Sequence, residues 1–152
     1  MNNSKGGIPD YENRAIQVLR RGGQRVTNAR IQVLKVLAAT PKAVTANDIH
    51  QAVLGSSERI DLVSVYRILS ALQGAGLVQY VGTIDAYAPR DPQIDRRVET
   101  SVIVEPDQKV FVPMPVSNEL LMHLEALCRR AGATLETVRI EISARTNRTD
   151  PS

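Results

Sequence analysis

Leu62, Val65, Leu69 and Leu72 recur at i, i+3, i+7 and i+10, one buried stripe of a helix of period 3.6. Ser64, Arg67 and Ser70 fall on the opposite side. Gly74 and Gly76 supply the conformational freedom that ends a helix, and Leu77-Val78-Gln79-Tyr80-Val81 then has the β-branched and aromatic character of a strand. Upstream, Ile16, Val18 and Leu19 predict a first helix from about Tyr11 to Arg21, stopped by Gly22-Gly23. Thr27 is the expected N-cap of a second helix in which Ile31, Leu34 and Leu37 face inward beside Val33 and Val36, with Pro41 beyond its end. Thr45 caps a third, with Asp48 placed to reach back in a box-like pattern and Ile49, Ala52 and Val53 as its apolar face. Ser56-Ser57-Glu58-Arg59 reads as the turn before the fourth helix. Val78–Val81 pairs with Ala86–Ala88 across Gly82-Thr83-Ile84-Asp85 as a hairpin. Three helices, a recognition-like helix and a hairpin make a winged helix-turn-helix.

The pattern changes after Pro89. Pro89-Arg-Asp-Pro-Gln-Ile-Asp-Arg-Arg97 is polar with two prolines and reads as a hinge over 90–97. Ser101–Glu105 and Lys109–Pro113 predict a hairpin around Pro106-Asp107-Gln108, followed by a helix over Ser117–Ala131 and a strand over Leu135–Ser143. In that strand Val138, Ile140 and Ile142 alternate with Arg139, Glu141 and Ser143, giving one apolar and one wet face. Leu120, Leu124, Leu127 and Cys128 form the helix stripe, and Gly132 suits its C-terminal end. So short a sheet with one helix buries too little apolar surface to stand alone, which predicts pairing with a second copy. The fold expected is α+β: a winged helix over 11–89, the hinge, and a β-β-α-β dimerisation domain over 98–145. Residues 1–10 and 146–152 are expected to be disordered tails.

Charge sharpens the division. Residues 1–90 hold 11 Lys/Arg against 6 Asp/Glu, a balance of +5, whereas residues 91–152 hold 8 against 10, a balance of −2. Arg20, Arg21, Arg25 and Arg30 cluster near the start of the basic half, as a phosphate-binding surface requires; solvated surface arginines are the alternative reading. The 152 residues with 43% hydrophobic content suffice for one or two cores, and no run reaches the length of a membrane span. The first seven residues lack the apolar block of a signal peptide, so a cytoplasmic protein is expected. One cysteine excludes an internal disulfide, and aromatics at 3% argue against a stacking platform for single strands. No nucleophile, base and orienting group appear together, and no phosphate-binding glycine loop occurs, so no catalytic residues and no cofactor are expected.

Three segments carry a family resemblance: Gln24-Arg25-Val26-Thr27-Asn28-Ala29-Arg30, Val63-Ser64-Val65-Tyr66-Arg67-Ile68-Leu69, and Gly74-Ala75-Gly76-Leu77-Val78. In these the chain resembles the ferric uptake regulator (Fur) family, and the second half fits that family through its strand, strand, helix, strand order. The resemblance implies a double-stranded DNA-binding transcription regulator, a repressor acting as a homodimer, with the fourth helix in the major groove. It implies that Tyr66 makes an apolar contact to a thymine methyl, that Arg67 meets a phosphate or base edge with Ser64 beside it, and that Arg25 enters the minor groove. Arg30 has a second reading as a brace of the second helix, and Tyr66 a second reading as packing against the bundle beside Val65 and Leu69.

The departures from the family are as informative. Fur-type regulators resemble one another in a histidine-rich hinge and paired Cys-x-x-Cys zinc ligands, donors that converge on a transition metal. Here Val104 and Asp107 occupy the Cys-x-x-Cys positions, Glu99 and Ser101 the hinge histidine positions, and Val138 the position of a histidine in the last strand. Lys42-Ala43, Ala88 and Leu121 replace a histidine and two glutamates. No histidine or cysteine lies between His50 and His123. His50 reads as a surface or hydrogen-bonded histidine, His123 as solvated with Glu119 at i−4, and Cys128 as a buried thiol. The expectation is a regulator without structural metal and without metal control. Two alternatives stay open: gating by an organic ligand or by thiol oxidation at Cys128, and a winged-helix protein-interaction scaffold.

Overall fold

A computed structural model describes residues 8, 10–55 and 59–145. The expected turn at Ser56–Arg59 and the two tails lie outside the described residues, apart from Arg59, Ile8 and Asp10. In chain order the elements are α1 (Tyr11–Arg21), α2 (Asn28–Ala38), α3 (Ala46–Leu54), α4 (Leu62–Gly74), β1 (Val78–Val81), a 3-10 turn over Gly82–Ile84, β2 (Ala86–Pro89), β3 (Val98–Glu105), β4 (Val110–Pro113), α5 (Asn118–Arg130) and β5 (Val138–Ser143).

The four helices close around one core, with two corrections to the expected stripes: Val33 rather than Ile31 is fully buried on α2, and Ala52 of α3 is exposed, because these two helices are rotated to fit their neighbours. Leu19, Val33, Leu34, Ile49, Val65, Leu69 and Leu72 are fully buried there, with Leu62 partly buried at the edge. Thr27 Oγ1 accepts from Arg30 N, and Thr45 and Asp48 form a reciprocal capping box, so the starts of α2 and α3 are written locally. Thr45→Ala is expected to lower stability by about 1 kcal/mol, seen as a lower urea midpoint at unchanged slope. At the far end of the bundle the Tyr11 hydroxyl donates to the Leu77 carbonyl, and burial pushes its phenol pKa well above the usual value. This bond fixes α1 against the chain leaving α4.

β1 and β2 form an antiparallel hairpin from Val78↔Pro89 to Val81↔Ala86. The second sheet has the order β4-β3-β5: β3 and β4 are antiparallel, and the crossover through α5 brings β5 parallel to β3. Most boundaries fall within one residue of the sequence expectation, and two differ by three. β3 begins at Val98 rather than Ser101, and β5 begins at Val138 rather than Leu135, because pairing starts at Val98↔Val138 and residues before Val138 have no strand to meet. A second apolar cluster of Ala43, Val81, Ala86, Ala88, Val102, Val104 and Phe111 joins the hairpin to this sheet. A third gathers Val98, Leu121 and Val138, with Leu124, Leu135 and Ile140 packed against it. Thus the side chain that α5 buries against its own sheet is Leu121, while Leu120 and Leu127 stand exposed and Leu124 is half-buried.

Candidate nucleic-acid interface

α4 divides cleanly. Val65, Leu69 and Leu72 are buried, while Val63, Tyr66, Arg67 and Ser70 are exposed at spacings of three, four and seven from Val63, a single outward face. Tyr66 is 49% exposed, so about half of its surface is open on this face. Ser64 is half-buried, and its backbone N–H donates to the Asp61 carboxylate at 2.7 Å, capping the helix. Hydrogen bonds from Ser64, and after them the charges of Arg67 and His50, hold the Asp61 carboxyl below its ordinary 3.8. Val63, 57% exposed, was not among the sequence candidates. Its signal was its place off the Leu62/Val65/Leu69/Leu72 stripe, which leaves a β-branched side chain with no core to enter.

Arg20 and Arg21 lie exposed in the last turn of α1, and Arg25 is exposed in the loop before α2. Arg30 is half-buried; its Nη1 donates to the Arg25 carbonyl at 2.8 Å and approaches Gln24 Oε1 at 3.5 Å. It therefore braces the loop that carries Arg25. The wing formed by β1 and β2 is ordered by its own side chains, with Tyr80 donating to Asp85 at 2.7 Å and the Tyr80 and Tyr87 rings 5.2 Å apart.

The residues that the sequence reading sets at Fur-type ligand positions, Asp107 among them, are mostly apolar or already paired. Ala43, Ala88, Leu121, Val104 and Val138 are buried apolar residues, Ser101 is buried and hydrogen-bonded, and Glu99 pairs with Arg139 at 2.6 Å. Among the described residues no three His, Cys, Asp or Glu side chains are grouped to hold an ion. His50 Nε2 lies 2.9 Å from the Ile60 carbonyl, exposed His123 lies 3.9 Å from Glu119, and Cys128 is only half-buried, more accessible than its place in an apolar stripe suggests.

Comparison with known proteins bears on the same half. The family model described as the ferric uptake regulator family matches residues 21–88. Those residues are similar to that family's. The chain is 38% identical over 61 residues to the ferric uptake regulation protein of Pseudomonas fluorescens, covering 40% of this chain and 50% of that protein. The chain thus spans about half the length of the curated relative it matches. Over the whole fold, a zinc uptake regulator complexed with zinc and DNA superposes with a TM-score of 0.80 at 17% identity, covering 90% of each chain. Holo XcZur superposes at 0.77 and 19% identity over 93% of this chain and 99% of that one, whereas apo XcZur superposes at 0.52 and 18% over 90% and 93%. The α+β architecture, a winged helix followed by a strand-rich half, is that of the Fur and Zur structures. Among the described residues no helix is long and apolar enough to cross a membrane.

Proposed function

We propose that this chain is a sequence-specific double-stranded DNA-binding transcription regulator, a cytoplasmic repressor that works as a homodimer without metal control. The observation that carries the reading is the outward face of α4 within the segment similar to the Fur family: two apolar groups, Val63 and Tyr66, beside a guanidinium and a hydroxyl. Such a face suits the major groove, where thymine presents a methyl group and guanine two acceptors. Arg20, Arg21 and Arg25 supply the flanking phosphate or minor-groove contacts, with Arg30 holding the loop that presents Arg25. The fold is shared with a regulator complexed with DNA, which suits this reading.

Dimerisation is proposed through the second half, in which the domain over 98–145 offers an unpaired β5 edge and exposed Leu120, Leu127 and Ile142. Metal independence is supported by the apolar residues at the ligand positions. Selection of bound sequences from random duplex DNA tests the whole reading. Affinity for the selected duplex is expected to be equal in chelator and with added zinc, iron or manganese. A change of tenfold or more on chelation, about 1.4 kcal/mol, would show metal control and overturn that part of the proposal. Failure of the folded protein to select any duplex would favour the scaffold alternative.

A further inference from the structure

We infer that Arg90, with Gln79 and Glu141, forms a latch that fixes the recognition helix and wing against the second half, so that protein groups alone set the distance between the two DNA-reading faces of a dimer. The inference rests on the proposed DNA-binding function. Arg90 is 4% exposed and makes six hydrogen bonds, all to backbone carbonyls. Nη1 donates to Gly76 at 2.8 Å, just beyond α4; Nε and Nη2 donate to Val98 at 3.0 and 2.8 Å, at the start of β3; the remaining bonds reach Asp91, Ile94 and Asp95 between them. One rigid, planar group thereby joins the end of the recognition helix to the second sheet. Arg96 adds bonds to the Gly74 and Ala75 carbonyls at 2.8 and 3.2 Å, satisfying acceptors that the helix end leaves open. Space at this joint is tight: a Cβ on Gly76, whose φ is 75°, would meet Arg90 Nη1 at 2.9 Å.

The wing is tied independently. The buried Gln79 amide donates to Pro89 O at 2.9 Å while its oxygen accepts from Ser101 N at 3.1 Å, linking β1 to β3. Thr100 Oγ1 donates to Tyr80 O at 3.1 Å. Glu141 of β5 accepts from the Gly82 N–H, the Thr83 N–H and the Thr83 hydroxyl at the wing tip. Because β5 is the edge strand proposed to face the second copy, Glu141 connects the wing directly to the dimer side of the sheet. These bonds surround the apolar cluster of Val81, Ala88, Val102 and Phe111, so a rotation between the halves breaks polar and apolar contacts together.

The roles assigned are positioning roles, and half-site spacing reads them in a way that simple loss of stability does not. Inserting one base pair between half-sites moves them about 3.4 Å apart and rotates one by about 35°, which a dimer of fixed geometry cannot follow. The full-length parent is expected to lose about tenfold or more in affinity for such a duplex. Arg90→Met, which keeps the length and removes the donors, is expected to bind the original duplex more weakly and to discriminate the two spacings by less than about threefold. Glu141→Ala, at a partly exposed position, keeps the test alive if Arg90→Met fails to fold, and it too is expected to broaden the tolerated spacing. Folding is checked by thermal denaturation. A parent indifferent to spacing, or folded Arg90→Met and Glu141→Ala proteins as selective as the parent, would overturn the inference. If the parent binds no duplex, the DNA-binding reading fails, and the latch is judged separately by small-angle scattering: a larger radius of gyration in the folded variants supports it, and an unchanged one overturns it.

Discussion

Replacing Arg67 or Arg25 by alanine is expected to weaken binding to the selected duplex by about 1–3 kcal/mol each, roughly tenfold to more than a hundredfold. Both side chains are exposed, and neither contributes to the helical core, so the folded state should survive the change. The two losses should differ in kind. A pure phosphate contact releases about one counterion, so its removal flattens the dependence of log affinity on log salt by about one and lowers affinity for all sequences alike. A bidentate contact to a base edge instead narrows the gap between the preferred duplex and its point variants. Tyr66→Ala is expected to act in the second way through loss of an apolar contact, and thymine-to-deoxyuridine substitution in the duplex should mimic it at one position. Titrations across salt for the three variants check this. Folded Arg25 and Arg67 variants that bind as tightly as the parent would show that the DNA face lies elsewhere.

How much of this was legible in the chain depends on the range of the interaction involved. The helices were readable because their determinants are local: the stripe of Val65, Leu69 and Leu72, the Thr45/Asp48 box and the Thr27 cap lie within a few turns of one another. The wing was readable for the same reason, as two short strands around a tight turn. Strand ends in the second half were not, since the start of β5 is set by where β3 begins, some forty residues earlier in the chain, and not by its own composition. α5 shows a subtler limit. Its periodicity admits both a Leu120/Leu124/Leu127 stripe and the neighbouring Leu121 position, and only the packed sheet decides that Leu121 goes in.

The candidate site divides along the same line. Arg67 and Tyr66 were legible as the polar and aromatic members of an otherwise apolar-striped helix, whereas Val63 was hidden because an apolar residue next to Leu62 looks like core until the helix is rotated into place. Arg90 carried no signal at all. In a segment rich in prolines and charges a guanidinium reads as solvated, and its partners are backbone carbonyls, which no pattern of side chains announces. Asp91 and Arg97 extend the point: they reach Arg14 of α1 and Glu125 of α5 at 3.3 and 2.6 Å, so charges spread widely in sequence converge on this one connection.

Glutamate at Ile140 is expected to give the largest loss of assembly. Ile140 is half-buried on β5, packed against the cluster of Val98, Leu121 and Val138, and β5 is the terminal strand of its sheet. Exposure rises along the strand from 7% at Val138 to 43% at Ile142, the pattern of a face that is partly covered by its own helix and partly left to another surface. A carboxylate at 140 would have no cationic partner inside that cluster, and burying an unpaired charge costs several kcal/mol. The protein should therefore either dissociate or unfold. Ile142→Glu separates the two outcomes, because Ile142 makes little of the protomer's own core: it is expected to leave thermal denaturation nearly unchanged while shifting sedimentation from dimer to monomer. Leu127→Glu, exposed on α5, should do the same if α5 shares the contact. At micromolar concentration the parent is expected to sediment as a dimer in chelator. A parent that sediments as a monomer there, or folded Ile142→Glu and Leu127→Glu proteins that remain dimers, would place the contact between copies on another surface.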